Sequence, residues 1–408
     1  LIVSGVGVEN SNARSDALVS SVDLHPTLLD IMGYGASNTI DGVSFKAALS
    51  PNVNLAVSGK TIRNAQYKYF IFDDDSEVFV DLIADPYELS PLSVQDLAGA
   101  ELANFNALKG KITELISLGD SKDITDVLLT NDSPECSSHT GEYLSDVLDV
   151  FEDVGFSGSL NVSENLNSCV FTTSSIPNHN FNDGVRNFVN VAAVVNQVFE
   201  VTKTPTAAAS TSELQINADN AIFLNGVKLD ILAAACYGVG PDPLGSERIG
   251  CGDITTPWRY DPMSELNNFS TDTHNAHTQA NGTYHYHGDP NALFNSTETP
   301  TKASPVIGFA ADGFPIFGSF INDEGTIRKV VPGYTLKAGA RVSQAGEGAF
   351  PGGSYDGTFR DDYEFTAVGD LDECNGMIKN GKYGYYITDS FPWVMACFKG
   401  TPDPSFNK

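Results

Sequence analysis

Thr271-Asp-Thr-His-Asn-Ala-His-Thr-Gln-Ala-Asn-Gly-Thr-Tyr-His-Tyr-His-Gly-Asp-Pro290 carries four of the chain's seven histidines: His274, His277, His285 and His287. Tyr284-His285-Tyr286-His287 alternates with the period of a β-strand, which puts both imidazoles on one face and both phenols on the other. Asn281-Gly282 just before it is a strong turn signal, so the preceding strand folds back and brings His277 toward His285 and His287. Three neutral imidazoles converging in this way suit zinc or copper. The competing expectation is a hydrogen-bonded His/Tyr network that only orders a loop-rich core.

Other pieces of the chain are candidates for the same place. His179, in the Pro-bearing turn Ile176-Pro177-Asn178-His179, and His274 are further ligand candidates beside His277, His285 and His287. Asp312, in Ala311-Asp-Gly-Phe-Pro-Ile-Phe-Gly318, and the paired Tyr284 and Tyr286 are candidates to orient those ligands; Asp312-Gly313 also reads as a plain turn. In Gly252-Asp-Ile-Thr-Thr-Pro-Trp-Arg-Tyr-Asp-Pro262, Arg259 lies between Asp253 and Asp261 and reads as a structural clamp rather than a substrate contact.

Moving outward from this stretch, the chain after residue 135 is rich in Gly, Asn, Pro and aromatics. Short apolar runs such as Phe156–Val162 and Ala221–Leu229 are interrupted by turn residues, which predicts a mainly antiparallel β domain with long loops. Residues 119–135 are polar and read as a linker. Before them, Tyr67–Phe72 and Glu77–Leu82 form a predicted hairpin around Asp73-Asp-Asp75, a turn that is either solvated or a calcium site. Leu102, Phe105, Leu108, Ile112 and Leu115 recur at helical spacing and predict a helix over 94–118. Asp23 caps a second predicted helix that ends at Gly33. The fold class is therefore α+β: a small α/β part over 1–118, then a loop-rich β domain over 136–408.

The six cysteines are Cys136, Cys169, Cys236, Cys251, Cys374 and Cys397. None forms a CxxC pair, so neither a zinc ribbon nor a thioredoxin-type site is built from them. An even count, confined to one part of the chain, predicts disulfides. Neighbour-to-neighbour pairing is the simplest of the fifteen connectivities; the paired count and the acidic balance favour an oxidising, extracellular or cell-surface compartment, against the alternative of buried free thiols in a cytosolic protein. The chain has 23 Lys+Arg against 52 Asp+Glu among 408 residues, a net charge of −29. That balance argues against nucleic acid and anionic membranes as partners. No apolar run reaches the length needed to span a bilayer. Leu1–Val8 reads as a buried strand of a parallel sheet with no evident partner nearby. The expectation is either a processed or truncated fragment, or a strand completed by another chain or another copy, with a homo-oligomer or filament as one outcome. Asn131, Asn161, Asn268, Asn281 and Asn295 head Asn-x-Ser/Thr sequons.

Two resemblances follow from these strings. "LIVSGVGV", "NARSDALVSSVDLHPTLLDIMG", "IDGVSF" and "YKYFIF…EVFVDLIADPYELSPL" resemble, in that order, the C-terminal part of the sulfatase family within the alkaline phosphatase superfamily, over residues 1–118. The family's Cys/Ser-x-Pro-x-Arg motif and its calcium-binding Asp/Asn residues lie upstream of that part. The resemblance therefore implies no catalytic residue here. "CVFTTSSIPNHNFND", "LNGVKLD", "ACYGVGPDPLGSERIGCG", "HNAHTQANGTYHYHG", "SPVIGFAADGFPIFG" and "LDECNGMIKNGKYGYYITDSFPWVMACFKG" resemble the YHYH domain family over about 136–397. This resemblance implies a secreted bacterial protein but no particular reaction, and it supports pairing of neighbouring cysteines. Tyr385, Tyr386 and Ile387 stand where similar proteins often carry a histidine, so that strand supplies no ligand. Three functions are in contention. The first is a metal-binding extracellular module without sulfatase activity in this chain. The second is a structural or adhesive surface or filament-forming protein, and the third is the C-terminal fragment of an active sulfatase.

Overall fold

A computed structural model describes residues 59–72, 76–241, 249–297 and 300–408, with side chains excepted at 114–120. The chain divides into two compact units, Leu1–Gly119 and Asp120–Lys408. The predicted Leu1–Val8 strand, the helix after Asp23 and the Asp73–Asp75 turn all lie outside the described residues.

In the first unit, strands Gly59–Arg63, Tyr67–Phe72 and Glu77–Asp81 form an antiparallel sheet in chain order. Alternation sends Tyr67 and Tyr69 to one face, where they meet Phe79. Phe105, Leu108 and Ile112, at i, i+3 and i+7 of the helix Gly99–Asp120, cover that face. Phe105 stands edge-on to both Tyr69 and Phe79, at 5.4 Å in each case. The helix starts later than its periodicity predicts. Val94–Asp96 is a separate 3-10 turn, and the α-helix starts only at Gly99, whose φ of 55° marks the break between the two.

The second unit is mostly β and rich in loops. Its first sheet runs Lys122–Asp123, Gly141–Asp149, Val154–Glu164, Ser168–Thr173 and Gln197–Thr202, antiparallel except for the first pair. Its second sheet has eight strands, ordered Ala276–Thr278, Tyr284–Tyr286, Lys228–Leu229, Ala221–Phe223, Val306–Ala310, Pro315–Phe317, Lys382–Tyr386 and Gly376–Lys379. Leu160, Val162, Phe171, Phe199 and Val201 from the first sheet share one core with Phe223, Phe309 and Tyr286 from the second. At roughly 1.5–3 kcal/mol for each fully buried side chain, this core is the main source of the unit's stability.

Three expectations change. Residues 119–135 are not a linker: Lys122–Asp123 pairs with Tyr143 and Leu144, Ile124 is buried, and Leu129 N donates to Leu293 O. Ala221–Leu229 is not one strand but a hairpin, closed by Phe223 N on Val227 O. Its Gly226 has φ of 83°, and a Cβ there would meet Thr173 Oγ1 at 2.5 Å. Arg259 is a clamp, but its guanidinium donates to the carbonyls of Ala233, Cys251 and Asp253, not to a carboxylate. The disulfides join Cys136 to Cys169, Cys236 to Cys251 and Cys374 to Cys397. No described helix is long and apolar enough to cross a membrane.

Candidate metal centre

The predicted turn forms. Gly282 N donates to Gln279 O, Gln279 N to Thr283 O, and Asn281 Oδ1 accepts from both Thr283 N and Thr283 Oγ1. Gly282 has φ of 85°, and any Cβ there would lie 2.7 Å from Ala193 Cβ. The hairpin register then sets His277 directly opposite His285. On the other side Lys228–Leu229 pairs in parallel, with Lys228 opposite His285. One face of these three strands therefore carries His277 and Gln279, then His285 and His287, then Lys228 and Asp230.

His277, His285 and His287 each offer a ring nitrogen within 4.8 Å of the others. Their ring centroids are 4.8–5.0 Å apart. His277 Nδ1 lies 2.7 Å from Phe269 O; a carbonyl only accepts, so Nδ1 holds the proton and Nε2 presents a lone pair. That Nε2 points at His287 Nε2 across 3.1 Å. Two ligands of one tetrahedral ion stand roughly 3.3 Å apart, given bonds of about 2.0–2.1 Å. Burial lowers the basicity of all three rings. For His285 the effect is large and is reinforced by His277, His287, Lys228 and Lys408. The rings are thus neutral, the form that binds metal. Nδ1 of His285 and Nδ1 of His287 are buried without a well-formed hydrogen bond.

Beside the rings lies a buried ionic network. Lys228 Nζ donates to Asp219 Oδ2 and to Gln279 Oε1, both at 3.1 Å. Asp230 Oδ2 accepts from Gln279 Nε2 at 2.9 Å and Lys408 Nζ at 2.5 Å. Sequence reasoning missed these residues. The signal was present in Leu224-Asn-Gly-Val-Lys-Leu-Asp230, where charged side chains alternate with apolar ones on a strand too apolar to face water.

The other two histidine candidates form a separate pair. His179 and His274 stack face to face at 3.6 Å. His179 Nδ1 donates to Asn180 O and His274 Nδ1 to Pro290 O, at 2.8 and 2.7 Å. His179 Nε2 then accepts from Tyr286 Oη at 2.6 Å, and that oxygen in turn accepts from Asn225 Nδ2. Tyr284 Oη donates to Asp272. The phenols therefore serve the opposite face of the strand, as alternation requires, and do not orient the three converging imidazoles. Asp312 bonds none of the histidines either. It accepts from Tyr385 Oη at 2.6 Å and Gly400 N at 2.8 Å, so it ties the strand Lys382–Tyr386 to the C-terminal loop at Gly400.

Residues 198–400 match the model of the family described as YHYH protein. A 56-residue stretch in the N-terminal part is 46% identical to an N-acetylglucosamine-6-sulfatase of Capra hircus. That match covers 14% of this chain and 10% of the sulfatase, so the chain spans only about a tenth of the curated relative it matches. No solved structure matches the chain.

Proposed function

We propose that this chain, whose residues 198–400 are a YHYH domain, is an extracellular metal-binding protein that holds one zinc or copper ion at His277, His285 and His287. The observation that carries this reading is the convergence of three neutral imidazoles, two of them buried and His277 partly so, on one sheet face, with the Nε2 atoms of His277 and His287 3.1 Å apart. Three disulfides support an oxidising compartment. The test is elemental analysis of protein purified, stripped with chelator and reloaded with zinc or copper. One equivalent per chain is expected, and none in His285→Ala/His287→Ala. A wild-type chain that takes up no stoichiometric metal overturns the reading.

The identity to an N-acetylglucosamine-6-sulfatase supports a second reading of the N-terminal unit, as part of a sulfatase-type domain. The residues present here carry no Cys/Ser-x-Pro-x-Arg sequence, and this polypeptide by itself is expected to leave sulfate esters intact. Turnover of a chromogenic aryl sulfate by the purified 408-residue chain would refute that expectation.

A further inference from the structure

Asp230 is 5% exposed and lies two residues past Lys228, the residue in register with His285, so it shares the imidazole face. Its Oδ2 is saturated by Gln279 and Lys408. Its Oδ1 is buried and has no hydrogen-bond donor among the described residues. The comparison with Asp219 is informative: its Oδ1 also lacks a hydrogen bond, but it faces the Lys408 ammonium at 3.7 Å. A buried carboxylate oxygen without a donor is costly, so Asp230 Oδ1 calls for a donor that the described side chains around it do not supply. Gln279, two residues from His277 on the same face, donates to Asp230 Oδ2 at 2.9 Å, which sets that carboxylate beside the ring-bearing hairpin.

Resting on the metal reading above, we propose that the three-histidine site is open, its fourth ligand a water that donates to Asp230 Oδ1 and exchanges for small inorganic anions. Three neutral imidazoles leave the dication's charge uncompensated, which favours an anionic fourth ligand. His277, the ring that is not fully buried, provides the edge along which exchange occurs.

The experiment loads the full chain with cobalt(II), whose visible spectrum reports coordination, and titrates it with sodium azide. Wild type is expected to bind one cobalt and to shift its spectrum saturably. Asp230→Asn keeps the cobalt and binds azide about tenfold more tightly, because a negative charge beside the incoming anion is gone. Asp219→Asn, which removes the same charge elsewhere in the network, stays within about twofold of wild type. Cobalt bound one to one with a spectrum indifferent to azide means a closed site and overturns the inference while leaving the metal reading intact. Equal azide affinity in the two Asp variants also overturns it. Absence of stoichiometric cobalt overturns the metal reading itself. The wild-type titration stands even where a variant fails to fold.

Discussion

Tyr286 Oη donates to Nε2 of His179 across 2.6 Å, although the two residues are 107 positions apart in the chain. The same oxygen accepts from Asn225 Nδ2 at 2.8 Å, and Asn225 in turn reaches Asn178 Oδ1 at 3.1 Å. The strand that presents histidines on one face thus anchors a buried polar chain on the other. Tyr286→Phe removes one oxygen and leaves a ring nitrogen and an amide N–H unsatisfied. The expected loss is roughly 1–3 kcal/mol in urea unfolding, with metal stoichiometry unchanged because the three imidazoles are untouched.

His179 also makes stability depend on pH. Burial, with His274 stacked against it, pushes its pKa down to about 3. The unfolded imidazole takes up its proton near 6.5, so the unfolded state binds more protons below that pH. The stabilisation is complete above about 6.5 and declines as pH falls toward the folded value. Between pH 6.5 and 5 this histidine alone is expected to cost about 2 kcal/mol. Urea midpoints at pH 7 and pH 5 should differ less in His179→Gln than in wild type. Equal slopes in the two proteins would show that this ring does not titrate as argued.

Lys228 and Asp219 are each 3% exposed and pair at 3.1 Å. Lys228→Met strands the carboxylate and is expected to destabilise by about 3–5 kcal/mol. Lys228→Met/Asp219→Asn should recover part of that loss, because no uncompensated charge remains buried. A double variant no more stable than the single one would place the damage in packing instead.

The Cys236–Cys251 bridge closes a separation of 15 residues and is braced by Arg259 on the Cys251 carbonyl. Cys236→Ala/Cys251→Ala is expected to lose roughly 3 kcal/mol. Intact-mass measurement of the wild type after iodoacetamide treatment without reductant should show no adduct, and six adducts per chain after reduction and unfolding.

What the sequence revealed and what it hid follow from the range of each interaction. The hairpin bearing His277, His285 and His287 was legible because a period-two pattern and an Asn-Gly turn act over a dozen residues. The positions of His179, His274 and Asp312 depend on groups supplied from elsewhere in the chain, at Tyr286, Pro290 and Gly400, and no local pattern encodes them. Lys228 and Asp230 are not marked by residue type, since their burial depends on which face of the strand they share with the imidazoles. Likewise, the Gly226 turn that splits Ala221–Leu229 into a hairpin was hidden inside a continuous apolar run. The hairpin Tyr67–Phe72 and Glu77–Asp81 came through nearly to the residue, since its alternation is local.

The three converging imidazoles all belong to one short hairpin at the margin of the eight-stranded sheet, whereas Asp230 arrives from a strand about fifty positions earlier. On the proposed reading all three ligands come from residues 277–287, so their approach depends on one local turn and not on the rest of the sheet. An ion bound there would act as a clasp on that turn, and the carboxylate that tunes its reactivity would be contributed from outside it.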